Sequence, residues 1–411
     1  MHYNASQIGK DGCNCDGAMS AGLSVFQVMP REMYFGVSRA TSIDLCVRDL
    51  VMASRFRAAT KIFAEAGGEP FTGFTVDRLP QARYAATTVR AKHVARVAHR
   101  ERPDVIIVQQ HLPTAAAIAR LLPQVKVILH RHNFPKSYDI GNTLRVLIRR
   151  AVGKRRYARL AGFIHVSQAC ADAFTQAWPD VAAPSCVVNN GLDFDAWQPA
   201  PDRTKEILCV SRCDPEKGIL EAAQGLAVLL PKFPEWQARF ILSATDVYPE
   251  YFQRVQATLS GLGAQAAVEV QRPFAEVKAA VERAAIALVP SKWIEPFGRA
   301  ALEAHAGGAA VISSGTGGLA EVSGETALML PTVTADAIAA AIETLIRDEA
   351  LRERLAQKGM ERARGRFDIR TQAARLDAFC HAVARGGGQG VQKRLAPGAG
   401  GCGDESSRAA K

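Results

Sequence analysis

The sequence has no run of about 18 consecutive apolar residues, so no transmembrane helix is expected. Near its start it also lacks a basic stretch followed by an apolar core, so a secretory signal peptide is not expected. Residues 1–18 are polar and contain Gly. We interpret residues 1–21 either as a disordered N-terminal extension or as the result of a start codon assigned too far upstream. The Gly-rich residues 386–411 show no apolar periodicity and are interpreted as a disordered tail.

Cysteine is sparse, since nine residues, an odd number, are scattered over 411 positions. Cys13 and Cys15 stand close together, but no second pair with metal-ligand spacing follows them. This usage favours reduced, structural cysteines over a disulfide framework and is typical of a cytosolic protein. We therefore predict no metal site and a cytoplasmic location.

Acidic residues are scarce in one part of the chain. The net charge is +11 overall, but residues 51–159 carry 21 Lys and Arg against 6 Asp and Glu, a net charge of +15. Within this part, the segment from Arg145 to Arg159 reads as a basic amphipathic helix. Two interpretations stay open: a solvated helix face, or a surface that meets anionic lipid or an acidic acceptor. No nucleic-acid-binding motif accompanies the charge, so nucleic acid is not an expected partner.

Short apolar segments alternate with helical patterns along the chain, which predicts a parallel, doubly wound α/β sheet in each half. The predicted domains are residues 22–192 and residues 205–366, joined by a polar linker at 193–204. Residues 367–385 are predicted to form a last helix that packs back on the first domain. The predicted strands are 23–29, 61–66, 104–109, 125–130, 162–166 and 186–189 in the first domain, and 206–211, 238–243, 267–270, 285–289 and 309–313 in the second. Ligands bind such sheets at the carboxyl ends of the strands.

The segment from Glu295 to Glu303 carries two carboxylates eight residues apart. It follows a predicted strand, and Pro296 and Gly298 stand just after the first carboxylate. Because Pro is tolerated in the first turn of a helix, we predict that Glu295 lies at a strand-to-helix elbow and Glu303 about two turns along the helix. Eight helical residues span about 12 Å, which is too far for both carboxylates to share one bond and suits the two ends of one long polar ligand.

A second informative turn runs from Ser211 to Gly218, where a predicted strand ends and a predicted helix begins. Arg212 and Lys217 flank this turn. A helix N-terminus beside two cations is a site for an anion, and phosphate is the usual ligand. Arg212 offers bidentate recognition and Lys217 a point charge. The turn therefore predicts a phosphate site, with a solvated loop as the alternative.

Taken in order, these segments resemble the motifs of the retaining GT-B glycosyltransferases of the family-4 type, the glycosyl transferases group 1. The matching pieces are Asn189-Asn-Gly-Leu-Asp193, Ser211-Arg212 with Glu216-Lys217-Gly218, Pro290-Ser291, Glu295-Pro-Phe-Gly with Glu303-Ala304, and Gly317-Gly318-Leu-Ala-Glu321. The resemblance covers about residues 22–385 and is strongest over residues 186–330. It implies the GT-B fold, in which two Rossmann-like domains face a cleft, with the acceptor side in the first domain and the nucleotide-sugar in the second.

The resemblance also implies roles for the candidate site residues of the second domain. Arg212 and Lys217 would hold the donor diphosphate. Glu303 would bind the ribose hydroxyls of the nucleotide, and Glu295 would bind hydroxyls of the donor sugar. The backbone N–H groups of three further residues would approach the sugar and the phosphates: Phe297, Gly298 and Arg299.

In the first domain the resemblance points to a glycine and a histidine. Gly36 lies in the loop after the first strand, where Gly lets the backbone approach the donor phosphates or the acceptor. The family often has two glycines here, and because this chain has one, a plain turn stays open. His132 best matches a cleft histidine that contacts the donor sugar; His111 is the second candidate, and a structural histidine is the alternative for both. Ala310 and His305 depart from the family's usual Pro and Met or Leu, which we interpret as packing changes.

The implied function is transfer of a hexose-type sugar from a nucleotide-sugar donor to an acceptor hydroxyl with retained anomeric configuration. The predicted catalytic residues are Glu295, Arg212, Lys217 and His132. The cations would stabilise the departing nucleoside diphosphate, so no cofactor and no obligatory metal are expected. No enzyme nucleophile is assigned, and the resemblance favours attack on the same face as the departing phosphate.

The acceptor is inferred from the basic charge of the first domain and the cytosolic cysteine pattern. These features favour a lipid-linked or glycan acceptor in the synthesis of lipopolysaccharide or another surface polysaccharide. They also favour a peripheral location on an anionic membrane surface, at the inner face of the cytoplasmic membrane. The donor base, the sugar, the exact acceptor, the linkage and the oligomeric state are not indicated by the sequence.

Three other interpretations of these motifs stay open. A catalytically silent GT-B domain would bind a nucleotide-sugar or act as a regulatory partner, although all the principal polar residues are present. A glycoside hydrolase needs two carboxyl groups about 5–9.5 Å apart, which the predicted spacing of Glu295 and Glu303 disfavours. A nucleotide-sugar epimerase on a similar two-domain fold is the third.

Overall fold

The computed structural model describes residues 22–37, 40–79, 86–135 and 143–386, and it leaves out the side chains of residues 86 and 145. Residues 1–21 and the predicted tail beyond residue 386 lie outside the described residues. Within these limits the chain forms two parallel sheets that are covered by helices. None of the helices in the described residues is long and apolar enough to cross a membrane.

The first sheet has seven strands in the spatial order β3-β2-β1-β4-β5-β6-β7. Its strands are β1 (Val25–Val28), β2 (Thr60–Glu65), β3 (Thr75–Leu79), β4 (Val105–Gln109), β5 (Lys126–Arg131), β6 (Gly162–His165) and β7 (Ser185–Val187). The accompanying helices are α1 (Ser42–Ala53), α2 (Ala86–Glu101), α3 (Leu112–Leu121), α4 (Leu144–Tyr157) and α5 (Gln168–Ala177). The central strands are buried on both faces, as apolar runs in parallel sheets are.

The second sheet has six strands in the order β10-β9-β8-β11-β12-β13. Its strands are β8 (Thr204–Arg212), β9 (Gln237–Ser243), β10 (Ala266–Val270), β11 (Ala284–Val289), β12 (Ala310–Ser313) and β13 (Leu328–Met329). Its helices are α6 (Ile219–Leu229), α7 (Pro249–Ser260), α8 (Phe274–Val281), α9 (Arg299–Ala306), α10 (Gly318–Ser323), α11 (Ala335–Arg347) and α12 (Glu349–Phe367). The last helix, α13 (Ile369–Ala384), follows α12 directly.

Both sheets reverse their winding direction beside their first strand, between β1 and β4 and between β8 and β11. The predicted fold class, two doubly wound parallel sheets, is therefore confirmed. The sequence missed β3 and β13. β3 is an edge strand with the polar residues Thr75, Asp77 and Arg78, and β13 has only two residues, so neither carries an apolar run.

Helix α13 leaves the second sheet and packs on the first. Leu376, Phe379 and Val383 share an apolar cluster with Val25 of β1. The Asp377 carboxylate also accepts hydrogen bonds from Ser54 Oγ at 2.6 Å and from the Arg55 N–H at 2.9 Å, just after α1. The chain therefore passes twice between the two sheets, although the exact domain limits stay a prediction.

Four histidines are buried among the residues that the structure describes. Burial lowers the pKa of His132, His165 and His305 to about 3, and the pKa of His130 well below its ordinary value. His305, one of the two departures from the family pattern, lies against Gly359 and its Nε2 is 3.1 Å from Ser323 Oγ. These side chains are neutral in the folded state at ordinary pH, because a buried charge is costly.

The free energy of unfolding should therefore fall as the pH drops below about 6.5. The unfolded histidines take up protons there while the folded ones do not, so each one lowers stability by about 1.4 kcal/mol per pH unit. Urea unfolding between about pH 7.5 and pH 5 measures this slope. His305→Gln should reduce it, and His99→Gln, at an exposed position, should not. An unchanged slope in His305→Gln would contradict the assignment.

Candidate functional site

A cavity of about 640 Å³ is lined by residues from both sheets, at the carboxyl ends of their strands. His132 and Val166 follow β5 and β6 in the first sheet. Arg212 ends β8, Ser243 ends β9 and Pro290 follows β11 in the second. Parallel α/β sheets bind ligands at this edge, and the volume lies within the range of small-molecule sites.

The turn after β8 is held in a tight conformation. The Asp214 carboxylate accepts a hydrogen bond from the Glu216 N–H at 3.0 Å, and the Asp214 carbonyl accepts one from the Lys217 N–H at 2.9 Å. Gly218 has a φ of 68°, and a Cβ atom there would lie 2.0 Å from the carbonyl oxygen of Pro290. Glycine is therefore required both by the left-handed backbone and by the contact with the neighbouring loop.

The same turn is joined to the loop after β11. The Glu216 carbonyl accepts hydrogen bonds from the Lys292 N–H at 2.8 Å and from the Trp293 N–H at 3.0 Å. These bonds fix the turn that carries Lys217 against the segment that leads to Glu295. Two loops that are distant in the sequence therefore act as one rigid wall of the cavity.

Lys217 and Glu295 form a direct, largely buried ion pair at this wall. Both line the cavity, as does Arg212, whose exposed side chain lies 3.4 Å (Nη2 to Oδ2) from the Asp214 carboxylate. The structure thus brings together three of the residues that the sequence singled out. Two cations and one carboxylate stand where the strands of the second sheet end.

Helix α9 begins later than the sequence predicted. It starts at Arg299, and its N-cap is Gly298 with a φ of 102°. The prediction that Pro296 opens the helix is wrong, because a left-handed residue cannot continue a right-handed helix. Glu303 lies about one turn into α9, so the 12 Å estimate, which assumed an unbroken helix from Glu295, does not apply.

The segment from Glu295 to Gly298 rests on Gly317 and Gly318. The Glu295 carbonyl accepts a hydrogen bond from the Gly318 N–H at 2.7 Å. A Cβ atom on Gly318 would lie 2.5 Å from the Cα of Phe297, and one on Gly317 would lie 2.5 Å from the Glu295 carbonyl oxygen. This close backbone contact explains the paired glycines of the sequence motif. It also fixes the position of the Glu295 loop relative to α10.

Arg299 lies between two carboxylates. Its Nε donates to Glu303 Oε1 at 2.7 Å, and its Nη2 lies 3.3 Å from Oδ2 of Asp49 on α1. Burial opposes the guanidinium charge, but the Glu303 and Asp49 carboxylates outweigh burial and raise the pKa of Arg299. Its Nη1 is buried and has no hydrogen-bond partner within the described residues. Arg299 borders the cavity, whereas Glu303 is not among the described residues that line it.

His132 lines the cavity from the first sheet as a neutral imidazole. Its Nε2 is 2.7 Å from Gln109 Oε1, and Gln109 Nε2 donates to Gln27 Oε1 at 2.7 Å. Since Gln109 Oε1 is an acceptor, Nε2 of His132 carries the proton and Nδ1 is left as an acceptor. His111 instead precedes α3, with its Nδ1 2.7 Å from Thr114 Oγ1, and it does not appear in the described lining.

The described part of the cavity lining does not include Gly36 either. A Cβ atom on Gly36 would lie 2.2 Å from the carbonyl oxygen of Glu69, so this contact accounts for the glycine. Between β1 and β2, the residues that line the cavity are 40–43 instead, at the start of α1. Thr41 and Asp44 cap this helix reciprocally, and their spacing in the sequence is that of a capping box.

Several residues that line the cavity had no role in the sequence analysis, among them Glu216, Asn190 and Trp293. Glu216 and Asn190 stand in motifs that were quoted without a role for these positions, and Trp293 precedes Glu295 by two residues. The Asn190 side chain accepts a hydrogen bond from Cys46 Sγ at 2.9 Å. The position of these residues in or beside the motifs was the available signal. Spacing along the sequence does not show which side chains of two different sheets line the same cavity.

One further contact links the two halves beside the cavity. Both carboxylate oxygens of Glu321 accept hydrogen bonds from the N-terminus of α5, at 2.8 Å from the Gln168 N–H and 2.6 Å from the Ala169 N–H. A carboxylate at a helix N-terminus is favoured by the unpaired N–H groups and the helix dipole. The last residue of the Gly317 to Glu321 motif therefore caps a helix of the other sheet.

Comparison with known families gives two matches along the chain. The model described as "Glycosyl transferases group 1" matches residues 193–362, and the model described as "Glycosyltransferase Family 4" matches residues 57–196. The chain is 31% identical over 213 residues to a D-inositol 3-phosphate glycosyltransferase of Corynebacterium glutamicum, covering 47% of this chain and 50% of that protein. It is 29% identical over 234 residues to a glycogen synthase of Mycobacterium tuberculosis, covering 54% of each. The chain thus spans about half the length of these curated relatives.

Solved structures share the architecture. Sucrose-phosphate synthase from Thermosynechococcus elongatus aligns with a TM-score of 0.69 at 18% identity, covering 88% of this chain and 100% of that one. The Anabaena protein HepE, crystallised with UDP-glucose, aligns with a TM-score of 0.69 at 18% identity, covering 87% and 99%. At this identity the likeness shows the fold alone, and it confirms the GT-B arrangement.

Replacing Arg299 by Met should destabilise the protein, because the largely buried Glu303 carboxylate would lose its cation, while Asp49 would keep only Arg48. The expected loss in the free energy of unfolding is about 3 kcal/mol. Urea unfolding measures it, with Arg254→Met, at an exposed position of α7, as the matched control. Adding Glu303→Gln to Arg299→Met should recover part of the loss, because residue 303 then carries no charge that needs Arg299. Equal stability of Arg299→Met and the control would contradict this account.

Proposed function

Since the chain belongs to the glycosyl transferases group 1, of the family-4 type, we propose that it transfers a hexose-type sugar from a nucleotide-sugar donor to an acceptor hydroxyl with retained anomeric configuration. The observation that carries the proposal is the contact of Lys217 with Glu295 inside the cavity. A cation suited to phosphate and a carboxylate suited to sugar hydroxyls stand side by side there.

The donor diphosphate would bind at Arg212 and Lys217. Helix α6 begins at Ile219, directly after the Gly218 turn, so its N-terminal N–H groups add to the positive potential. A diphosphate carries more negative charge than one carboxylate and would replace Glu295 as the partner of Lys217. The Glu295 carboxylate would then accept hydrogen bonds from hydroxyls of the sugar, while the N–H groups of 297–299 face the same end of the donor.

The nucleoside end of the donor would reach Glu303. Its Oε1 already accepts a hydrogen bond from Arg299, which sets the direction of the carboxylate. We assign Oε2 to the ribose hydroxyls. Arg299 is in this view a positioning residue for Glu303.

During transfer the bond between the sugar and the diphosphate breaks, and negative charge develops on the departing phosphate. Arg212 and Lys217 face this charge and lower the barrier by stabilising it. The acceptor hydroxyl attacks from the same face, and its proton passes to the departing phosphate. His132 is neutral, because burial lowers its pKa to about 3, so it serves as a hydrogen-bonding group for the sugar and not as a proton source.

A UDP-hexose is the first donor to test, because HepE, which shares the fold, was crystallised with UDP-glucose. For the acceptor we propose a lipid-linked or glycan hydroxyl in the synthesis of a surface polysaccharide such as lipopolysaccharide, at the inner face of the cytoplasmic membrane. The basic charge of residues 51–159 supports this acceptor. A glycan acceptor is also in keeping with the glycogen synthase among the relatives.

Lys217→Ala should lower kcat/KM for the donor by about 100-fold or more, because one preorganised charge at the departing phosphate is lost. Release of nucleoside diphosphate measures it. Lys292→Ala is the matched control, since Lys292 belongs to the loop after β11 but is not among the described residues that line the cavity, and it is paired with Glu221. Urea unfolding checks that both variants fold. Near-normal turnover of Lys217→Ala would remove the phosphate assignment.

A panel of nucleotide-sugars distinguishes an enzyme from a silent binding domain. We expect release of nucleoside diphosphate from at least one nucleotide-hexose when a glycan or lipid-linked acceptor is supplied. Binding of a nucleoside diphosphate without any release, across all donors and acceptors, would favour the silent GT-B domain with a binding or regulatory role.

A further inference from the structure

Helix α4 presents an apolar stripe to solvent. Leu144 is 73% exposed, Leu147 51%, Ile148 57% and Val152 40%. At about 100° per residue, these four side chains and Ala151 fall on one side of the helix. In a globular protein such a stripe normally faces the core. Here the apolar side of an amphipathic helix points away from the protein.

The opposite side of α4 is fixed to the first sheet. Gly153 and Tyr157 are buried, and a Cβ atom on Gly153 would lie 2.5 Å from the Trp178 ring. The Tyr157 ring centroid is 4.9 Å from that of Trp178, and the Arg150 guanidinium lies 5.2 Å from the centroid of the same indole. Rotating the helix to bury the stripe would break all these contacts. The exposure is therefore a property of how α4 packs.

The charges on α4 complement an anionic surface. The segment 143–159 contains no Asp or Glu, and its exposed cations among the described side chains are Arg149, Lys154, Arg155 and Arg159. Arg155 and Arg159 continue the apolar stripe toward the end of the helix and just beyond it. Lys154 is 2.9 Å from Asp180, so it is partly neutralised. Large exposed aliphatic side chains followed by arginines are typical of helices that lie in a membrane interface.

We propose that α4 docks this protein on the surface of an anionic phospholipid bilayer. Leu144, Leu147 and Ile148 enter the boundary between headgroups and acyl chains, and Arg155 and Arg159 contact lipid phosphates. A second copy of the chain is a poorer occupant, because pairing two such faces would bring their arginines together.

The docking surface lies on the cavity side of the first sheet. Helix α4 follows β5, and a helix that follows a parallel strand begins at the carboxyl end of that strand. The Leu144 end of the stripe is therefore at the edge of the sheet where His132 lines the cavity. This docking does not depend on the proposed transfer reaction, and it is tested apart from it.

Flotation of the full chain with vesicles tests the proposal. The probes are vesicles of phosphatidylcholine alone and vesicles with about 30% phosphatidylglycerol, at salt concentrations of about 0.1 M and 0.5 M. We expect binding to the anionic vesicles at low salt and binding weaker by about tenfold at high salt, because salt screens the arginines. Absence of binding to the anionic vesicles would overturn the proposal.

Two pairs of variants locate the surface. Leu147→Ser with Ile148→Ser should weaken vesicle binding by about tenfold or more, because the apolar surface of two aliphatic side chains would no longer be transferred from water into the bilayer. The matched control is Val228→Ser, at an exposed position of α6. Arg155→Gln with Arg159→Gln should also weaken binding, and Arg254→Gln with Arg354→Gln, on exposed faces of α7 and α12, should not. Thermal unfolding checks that all variants fold.

Unchanged vesicle binding by the Leu147→Ser, Ile148→Ser variant would overturn the proposal. A dimer of the wild-type chain in the absence of vesicles that disappears in this variant would do so as well, since a second copy would then cover the face. Release of nucleoside diphosphate without vesicles, measured in parallel, should be the same in this variant and the wild type. A failure of the proposed transfer reaction would show there, in the wild type, independently of the flotation result.

Discussion

A buried guanidinium joins the two halves of this molecule beside the cavity. Arg299 stands at the first turn of α9 and reaches Asp49 on α1 of the other sheet, while Glu303 holds it from its own helix. A buried charge persists only when it is paired, so these three side chains constrain one another. The hydrogen bond from Arg299 sets the orientation of the Glu303 carboxylate. Arg299 also lines the cavity. The relative position of the two sheets and the shape of the cavity are thus linked through one cation.

In the second sheet, close contacts between backbone segments position the loops that carry Lys217 and Glu295. Gly218 lies under the Pro290 carbonyl, and Gly317 and Gly318 lie under the Glu295 loop, at separations that leave no room for a Cβ atom. These contacts bring the turn after β8 and the loop after β11 together, so that Lys217 and Glu295 meet. The polar side chains are therefore carried on stiff, interlocked loops, which is the preorganisation that charge stabilisation in a transition state needs.

Much of the fold could be predicted because strands of a parallel sheet that are buried on both faces consist of consecutive apolar residues. The sequence indicated β1, β4 and β8 for that reason. The edge strand β3 was missed because its polar residues carry no such signal. The start of α9 was misplaced because Pro296 was read as a helix opener, whereas Gly298 is held in a left-handed conformation above Leu319.

The sequence determined which chemical groups the protein has and their order along the chain. These groups are the cations of the turn after β8, the two carboxylates around α9, and a basic helix at 145–159. Only the tertiary structure decided their partners. Asp49 and Arg299 are 250 positions apart, and Lys217 and Glu295 are 78 apart, so no local pattern could pair them. The structure likewise decided which side of α4 faces water, because the packing of Gly153 and Tyr157 sets the rotation of a helix whose sequence alone allows either face to be buried.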